Sequence, residues 1–166
     1  MPDRKTILIL GGGVGGIVTA GALRKQLGRT HRIVLIDRER VHLFAPSLLW
    51  LMVGERSATS ITRPLTRLAR KGIEVRIGEL ERIDPEHRRV TVARGNLDGD
   101  FVVVSLGAEL HPAAIPGLSE AGHNFYTLSG AEAFRDALGR LRAGRIVVMT
   151  ATPAYKCPAA PMKRPC

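Results

Sequence analysis

The stretch Lys5–Gly28, KTILILGGGVGGIVTAGALRKQLG, decides the fold. It opens with a short, nearly continuous apolar run that stops at glycines, which is typical of a strand covered on both faces in a parallel sheet. From Val14 to Leu27 the apolar residues recur at helical spacing, and Gly28 follows as a plausible end of that helix. A second apolar run, Arg32–Asp37, completes a right-handed βαβ unit. The sequence therefore predicts an α/β protein with a doubly wound parallel sheet.

The glycines between the first predicted strand and helix form the pattern G-x-G-x-x-G, with Gly11, Gly13 and Gly16 at its fixed positions. The first glycine permits a tight turn, the second lets a pyrophosphate approach the backbone, and the third allows close packing of helix on strand. Asp37 follows about 20 residues later, where a carboxylate binds an adenosine ribose. The pattern predicts a Rossmann-like dinucleotide site. It does not distinguish FAD from NAD, because both contain ADP.

The residues beside these positions complete the predicted cofactor site, which includes Gly12, Gly15 and Arg38. A basic residue at position 38 can hold a 2′-phosphate, or it can be a solvated surface arginine, and both interpretations stay open. His42 is expected to make an ordinary polar contact. No metal site is predicted.

The charge of the chain restricts its partners. The 166 residues carry a formal net charge of +10, which fits nucleic acid, an acidic membrane surface, a phosphate-bearing cofactor or an acidic protein. The arginines have no aromatic residues between them that could stack on bases, so a solvated basic face and no nucleic-acid partner are predicted. Two cysteines do not make a disulfide framework and favour a reducing, cytoplasmic setting. No apolar run suits a signal peptide or reaches the length of a membrane span.

Periodicity and turn residues predict the other elements. A helix is expected over Thr62–Lys71, with Pro64 in its first turn, and another over Gly130–Arg142, where Ser129–Glu132 has capping-box spacing. The remaining predictions are a compact apolar segment Pro46–Val53, a strand Ile73–Ile77, a hairpin Arg82–Ala93, a strand Asp100–Leu106 and a buried strand Arg145–Thr150.

A thiol follows the last of these predicted strands. Prolines and Cys157 occupy the place where a second dinucleotide domain would have glycines. Loops at the carboxyl ends of parallel strands bind ligands, and Lys156 beside the cysteine favours the nucleophilic thiolate. Cys157 is therefore a candidate catalytic residue, with an inert cysteine as the alternative.

Several of these segments together resemble sulfide:quinone oxidoreductases and the flavoprotein subunit of flavocytochrome c sulfide dehydrogenase. The resemblance runs from about Thr6 to Pro161 and is carried by TILILGGGVGG, the acid of VLID, HLFAPSLLW, DFVVVSLGA and above all PAYKCPAAP. It implies FAD as the cofactor, with Gly107 in a turn near it and Pro46 in the segment beside the flavin. It also implies that Cys157 attacks sulfide and carries the sulfur before FAD takes two electrons, which pass to a quinone or a cytochrome.

The resemblance implies a domain organisation as well. Residues 1–110 would form the FAD-binding domain, and residues 111–166 would begin a second, incomplete dinucleotide-type domain with a divergent tail. Such proteins are usually much longer, with a second redox cysteine and a quinone- and membrane-binding part further on, so the chain is interpreted as the front portion of a peripheral membrane enzyme. Cys166 is interpreted as incidental. The main alternative function is a non-enzymatic module that binds FAD or NAD. A basic protein that binds nucleic acid or an acidic membrane ranks last, because the arginines follow no groove-reading motif.

Overall fold

A central parallel sheet organises the molecule in a computed structural model that describes residues 3–93 and 95–150. Within these residues the strands β1 to β9 are, in chain order, Thr6–Leu10, Arg32–Asp37, Val41–Leu43, Thr62–Pro64, Glu74–Ile77, Leu80–Asp84, Arg89–Val92, Gly95–Asp98 and Phe101–Val104. The helices α1 to α5 are Val14–Leu27, Leu48–Leu51, Ala58–Ile61, Leu118–Ala121 and Leu128–Arg140. Short 3-10 helices cover Ala45–Ser47, Leu65–Lys71 and Pro112–Ala114.

The central sheet has the strand order β5-β2-β1-β9, and every pairing in it is parallel. Its two middle strands are apolar along almost their whole length, because each is covered on both faces and has a neighbour on both sides. The chain first moves outward from β1 through β2 to β5 and then returns to the other side of β1 as β9. The predicted Rossmann-like α/β fold is confirmed.

Different elements cover the two faces of the sheet. Helix α1 and the 3-10 helix Leu65–Lys71 pack on one face, around a core that includes Ile9, Leu35 and Leu65. The antiparallel sheet β6-β7-β8 covers the other face, where Val90 is completely buried against the central strands. A third cluster joins α2, α3 and α5 at one side of the molecule and contains Leu48, Leu51, Ile61 and Ala131.

Most predicted elements are confirmed near their expected positions. The first helix has the predicted bounds. The predicted strands that begin at Lys5, Arg32, Ile73 and Asp100 correspond to β1, β2, β5 and β9. The predicted hairpin is β6 with β7. The third strand of this sheet, β8, was not predicted, because its sequence Gly-Asn-Leu-Asp has low strand propensity and forms a strand only by pairing with β7.

The predicted helix over Thr62–Lys71 is wrong. Its first three residues form β4, which pairs antiparallel with β3, and Leu65–Lys71 is a 3-10 helix. The physical reason is Pro64, which has no N–H to donate and holds the residue before it in extended backbone. Gly72 caps the end of this 3-10 helix, and its φ of 77° lies in the region that favours glycine.

The predicted start of α5 is also wrong. The helix begins at Leu128, and its N-cap is Thr127, whose side chain accepts a hydrogen bond of 3.0 Å from the backbone N–H of Gly130. Ser129 lies inside the first turn, so no capping box forms with Glu132. The Asn124 side chain fixes this start, because its Oδ1 accepts bonds from the backbone N–H groups of Tyr126 and Thr127.

The prediction of a buried strand over Arg145–Thr150 is wrong for the described residues. No strand forms there, and Ile146, Val147, Val148 and Met149 are between 50% and 72% exposed. A parallel strand of this composition forms only where neighbouring elements accept and donate its backbone hydrogen bonds and cover its two faces. Residues 3–93 and 95–150 do not supply such neighbours.

Candidate functional site

The glycine loop lies at the carboxyl edge of the central sheet, where β1 ends and α1 begins. This edge is also the point at which the strand order reverses, between β1 and β9. In open α/β sheets the crevice at such a reversal binds ligands. We call residues Gly11–Gly16 the glycine elbow.

Two glycines of the elbow are required by close packing inside the protein. A Cβ on Gly16 would overlap the carbonyl oxygen of Gly11, and a Cβ on Gly11 would overlap the carbonyl oxygen of Ser105. The φ of Gly11, 104°, lies in the region that favours glycine. Ser105 follows β9, and its Oγ donates a hydrogen bond of 2.8 Å to the Leu10 carbonyl, so β9 holds the inner side of the elbow.

The outer side of the elbow is open. Gly13, Val14 and Gly15 are exposed, and a Cβ added to Gly13 would meet no atom within 4 Å. The first helical hydrogen bond of α1 runs from Ile17 N–H to the Gly13 carbonyl at 3.0 Å. Among the described residues no side chain caps this helix, and its first turn has no acidic residue. The N–H groups of the first turn therefore face outward at the positive end of the helix dipole, an arrangement that fits a pyrophosphate.

Asp37 joins the end of β2 to the elbow. Its Oδ2 accepts a hydrogen bond from the Gly12 N–H, and its Oδ1 accepts one of 2.6 Å from the Glu39 N–H. The Gly12 carbonyl is in turn 3.1 Å from His42 Nδ1, so His42 makes the polar contact expected of it. Each carboxylate oxygen can accept a second bond, and Asp37 can therefore also receive a ribose hydroxyl.

Arg38 lies among three glutamates at the same edge. It forms an ion pair with Glu109, and its other partners are Glu79 at 3.7 Å and Glu39 at 3.8 Å. The hydrogen bond that Arg38 donates to Glu109, followed by the charges of Glu109 and Glu79, raises the pKa of Arg38. A 2′-phosphate at this position would meet more carboxylates than guanidinium, so the arrangement fits a ribose without that phosphate better than one that carries it.

The other predicted site residues, Gly107 and Pro46, lie outside the glycine elbow. Gly107, with a φ of 76°, is exposed two positions after Ser105, at the same edge of the sheet. Pro46 is exposed in the 3-10 helix Ala45–Ser47, and its place beside the flavin stays a prediction. Cys157 and Cys166 lie outside the described residues. Sequence reasoning missed Ser105 and Glu109. Its only signal for them was their position near the end of the predicted strand Asp100–Leu106, with Ser105 inside that strand and Glu109 shortly after it.

Two other kinds of site are absent from the described part of the chain. Residues 3–93 and 95–150 contain no group of three or more His, Cys, Asp or Glu side chains that could hold a metal ion. The same residues contain no helix that is both long and apolar enough to cross a membrane.

Comparisons with known proteins agree with this geometry. A family model described as pyridine nucleotide-disulphide oxidoreductase matches residues 5–150. Demethylphylloquinone reductase NdbB of Synechocystis is 34% identical over 147 residues, which cover 83% of this chain and 36% of that protein. The type II NADH:quinone oxidoreductase of Staphylococcus epidermidis is 29% identical over 120 residues, 71% of this chain and 30% of the relative.

The solved structures give the same picture. The sulfide:quinone oxidoreductase of the hyperthermophilic bacterium Aquifex aeolicus superposes with a TM-score of 0.77 at 31% identity, over 82% of this chain and 32% of that one. A ferredoxin reductase from Rhodopseudomonas palustris superposes with a TM-score of 0.69 at 27% identity, over 82% of this chain and 35% of that one. The chain thus spans about a third of the length of the relatives it matches.

Proposed function

From the premise that this chain belongs to the pyridine nucleotide-disulphide oxidoreductase family, and so to FAD-dependent oxidoreductases, we propose that its glycine elbow binds the ADP half of FAD in a quinone-reducing enzyme. FAD is the cofactor that this family implies, as the sequence predicted. Quinone as the electron acceptor is supported by the relatives, several of which are named as quinone reductases or quinone oxidoreductases.

The observation that carries the proposal is the open outer side of the elbow. Gly13 leaves space for a pyrophosphate, and the N–H groups at the start of α1 point toward that space. Asp37 is already fixed at the neighbouring strand end, so a ribose hydroxyl can bind its free lone pairs. Gly12, Gly15, Arg38, Pro46 and Gly107 remain proposed contacts of the cofactor.

The identity of the electron donor is a more specific part of the proposal. FAD, when bound, accepts two electrons from a donor and passes them to the quinone. We propose sulfide as that donor. An S–S bond would form between the Cys157 thiolate and the sulfide sulfur, the S–H bond of the sulfide would break with release of its proton, and the two electrons would go to FAD. NADH is the competing donor, because relatives of similar identity are named as type II NADH:quinone oxidoreductases. A cytochrome in place of the quinone is the alternative acceptor.

The predicted domain division also stays a proposal. Residues 1–110 would hold the cofactor, and residues 111–166 would belong to a second unit. Helix α5 of the second part packs on α2 of the first, where Ala131 contributes to the same buried cluster as Leu48 and Leu51. The two parts therefore share a core cluster at this side of the molecule.

Flavin binding tests the proposal directly. Titration of the purified full chain with FAD should shift the flavin absorbance and quench its fluorescence, and Gly13→Val should abolish both changes. Gly21→Ala is the matched control, because a Cβ at Gly21 of α1 also meets no atom within 4 Å but lies away from the elbow. Equal FAD binding by Gly13→Val, or no binding by the unmodified chain, would contradict the proposal.

Anaerobic reduction of the bound flavin tests the donor. Addition of sulfide should bleach the flavin absorbance, and Cys157→Ser should remove this effect without loss of FAD binding. Bleaching by NADH alone would overturn sulfide as the donor. Tight FAD binding with no bleaching by either donor would instead support the non-enzymatic nucleotide-binding module.

A further inference from the structure

Three arginines lie at the edge of the sheet opposite the glycine elbow. Arg4 lies just before β1, Arg24 lies in the last turn of α1, and Arg29 follows the end of that helix. In a parallel sheet the strands all begin at one edge and end at the other, so these residues lie at the amino edge, whereas the elbow lies at the carboxyl edge. We call Arg4, Arg24 and Arg29 the arginine cluster.

Arg24 is held in one position by backbone carbonyls. Its Nη1 donates to Gly28 O and, at 3.0 Å, to His31 O, and its Nη2 donates to Gly72 O at 2.8 Å. These bonds join the end of α1 to the start of β2 and to the residue two positions before β5. Its Nε is buried without a hydrogen-bond partner among the described residues. The guanidinium is therefore fixed in place before any ligand binds.

Arg29 lies beside Arg24 over Gly72. A Cβ built on Gly72 would be 3.6 Å from Arg29 Cζ and 3.8 Å from Arg24 Nε, so both guanidinium groups approach the same glycine. Arg4 lies just before β1 at the same edge, and its charge is the third cause of the lowered pKa of Arg24. The cluster thus brings three positive charges together from two segments of the chain.

No carboxylate compensates for these charges within residues 3–93 and 95–150. None of the three arginines forms an ion pair there, and the nearby Asp3 and Asp100 instead pair with Lys5, at 2.8 Å and 3.4 Å. Burial, followed by the charges of Arg29 and Arg4, lowers the pKa of Arg24, as expected of a cation among cations. A cluster of this kind is unfavourable unless an anion joins it.

We propose that the arginine cluster binds a tetrahedral oxyanion of the phosphate type. Guanidinium groups offer paired N–H donors whose spacing matches phosphate oxygens, and Arg4 and Arg29 are both exposed and can close on such an anion. Arg24 is the positioning residue, because most of its donors are already used. The phosphate group can come from a free anion or from a lipid headgroup, and the two sources are separated by the experiment.

Thermal unfolding in phosphate and in chloride at equal ionic strength tests the site. Phosphate should raise the Tm of the unmodified chain by at least about 3 °C at saturation. Arg29→Gln and Arg4→Gln should each weaken phosphate affinity, measured by calorimetry, about tenfold. Arg142→Gln is the matched control, because Arg142 is exposed and lies outside the cluster. Equal phosphate affinity in the cluster variants and the control would overturn the proposal.

Two further measurements separate anion binding at the cluster from a structural role of Arg29 and from anion binding at the elbow. In chloride at low ionic strength, Arg29→Gln should unfold at a higher temperature than the unmodified chain, because the substitution removes charge repulsion within the arginine cluster. A lower Tm would show that Arg29 has a purely structural role and would count against the proposal. Gly13→Val should keep the phosphate response, since it blocks only the elbow. Loss of the response in Gly13→Val would assign the phosphate to the elbow and overturn the cluster site, whatever the outcome of the FAD titration.

Vesicles identify the source of the phosphate group. Co-sedimentation is measured with phosphatidylcholine vesicles that contain or lack phosphatidic acid. Binding that requires phosphatidic acid and falls about tenfold in Arg29→Gln would support the site with a lipid headgroup as its ligand. Calorimetric phosphate binding without co-sedimentation would support the site with a free anion.

Discussion

The carboxylate of Asp37 accepts a hydrogen bond from the backbone N–H of Gly12, which joins the end of β2 to the glycine elbow. A second N–H, that of Glu39, binds the other carboxylate oxygen at 2.6 Å. The side chain that is proposed to bind the ribose therefore also shapes the loop that is proposed to bind the pyrophosphate. The two halves of the proposed ADP site are therefore connected through the hydrogen bonds of one residue.

Asp37→Asn tests this coupling. The amide keeps one oxygen acceptor but places an NH2 group against a backbone N–H, so we expect FAD affinity to fall at least about tenfold and stability to fall by about 1 kcal/mol. Fluorescence titration and urea unfolding measure the two effects. Glu86→Gln, at the exposed turn between β6 and β7, is the control and should change neither quantity.

Gly16→Val and Gly13→Val should separate packing from binding. A side chain at Gly16 would collide with the Gly11 carbonyl, so we expect a loss of about 2–4 kcal/mol in the free energy of unfolding. Gly13 faces open space, so Gly13→Val should change that free energy by less than about 1 kcal/mol while it abolishes FAD binding. Urea unfolding in the absence of FAD checks both values, and equal destabilisation by the two variants would contradict the two-sided elbow.

Glu74 should make the stability of the sheet depend on pH. Arg32 of β2 binds Glu74 of β5 through two hydrogen bonds of 2.9 Å and 3.1 Å, and these bonds are the main cause of the lowered pKa of Glu74. A lowered folded-state pKa adds stability above the unfolded pKa of about 4.3, and this stability is lost as the pH falls through the folded value.

Glu74→Gln measures this contribution. Both side chains are about a third exposed, with values of 35% and 32%, so solvent weakens the pair and we expect a loss of about 1 kcal/mol or less at pH 7. Because the glutamate becomes protonated in acid, the difference between variant and parent should shrink as the pH falls below about 4. Urea unfolding of the variant and the parent at pH 7 and below about pH 4 measures this difference. A difference that grows in acid would contradict the assignment of the stability to the Arg32–Glu74 pair.

Thr127→Ala and Ser129→Ala form a matched pair at the start of α5. Thr127 accepts the Gly130 N–H, so its loss should cost about 1 kcal/mol of stability. Ser129 does not cap the helix, and Ser129→Ala should cost less than about 0.5 kcal/mol. Thermal unfolding of both variants decides which residue is the cap, and a larger cost at Ser129 would show that the capping box forms.

Glu109→Gln should change the preference of the site at the ribose. In the unmodified chain three glutamates surround Arg38, so ADP should bind at least as tightly as 2′-phospho-ADP. Removal of the Glu109 charge frees Arg38, and the affinity ratio should shift toward 2′-phospho-ADP by about threefold or more. Competition against bound FAD measures this ratio. An unchanged ratio would place Arg38 away from the ribose.

The sequence predicted the central βαβ unit well because its signals are local. Continuous apolar runs, helical spacing and the glycine pattern lie within Lys5–Asp37, and the structure forms its strands and helix there as expected. The same signals located Gly11, Gly13, Gly16 and Asp37 at one edge of the sheet. These residues belong to one βαβ unit, so the strand, turn and helix that place them in space are adjacent in the sequence.

The errors arose where distant residues decide the local structure. Pro64 prevents a helix locally, but Thr62–Pro64 is a strand only because β3 pairs with it. In the same way β8 is a strand because β7 pairs with it. Glu109 reaches Arg38 across a long separation in sequence, which no local pattern reports. Arg145–Thr150 has the composition of a buried strand, yet composition cannot supply the neighbours that such a strand needs.

The pairing of β1 with β9 has a consequence for how the protein is made. The Thr6 N–H binds the Asp100 carboxylate at 2.7 Å, although the two residues are 94 positions apart. A nascent chain that leaves the ribosome therefore exposes one side of its first strand until translation has passed residue 104. During that interval the β9 side of β1 has no strand to pair with, and a slow codon placed before β9 would prolong the exposure.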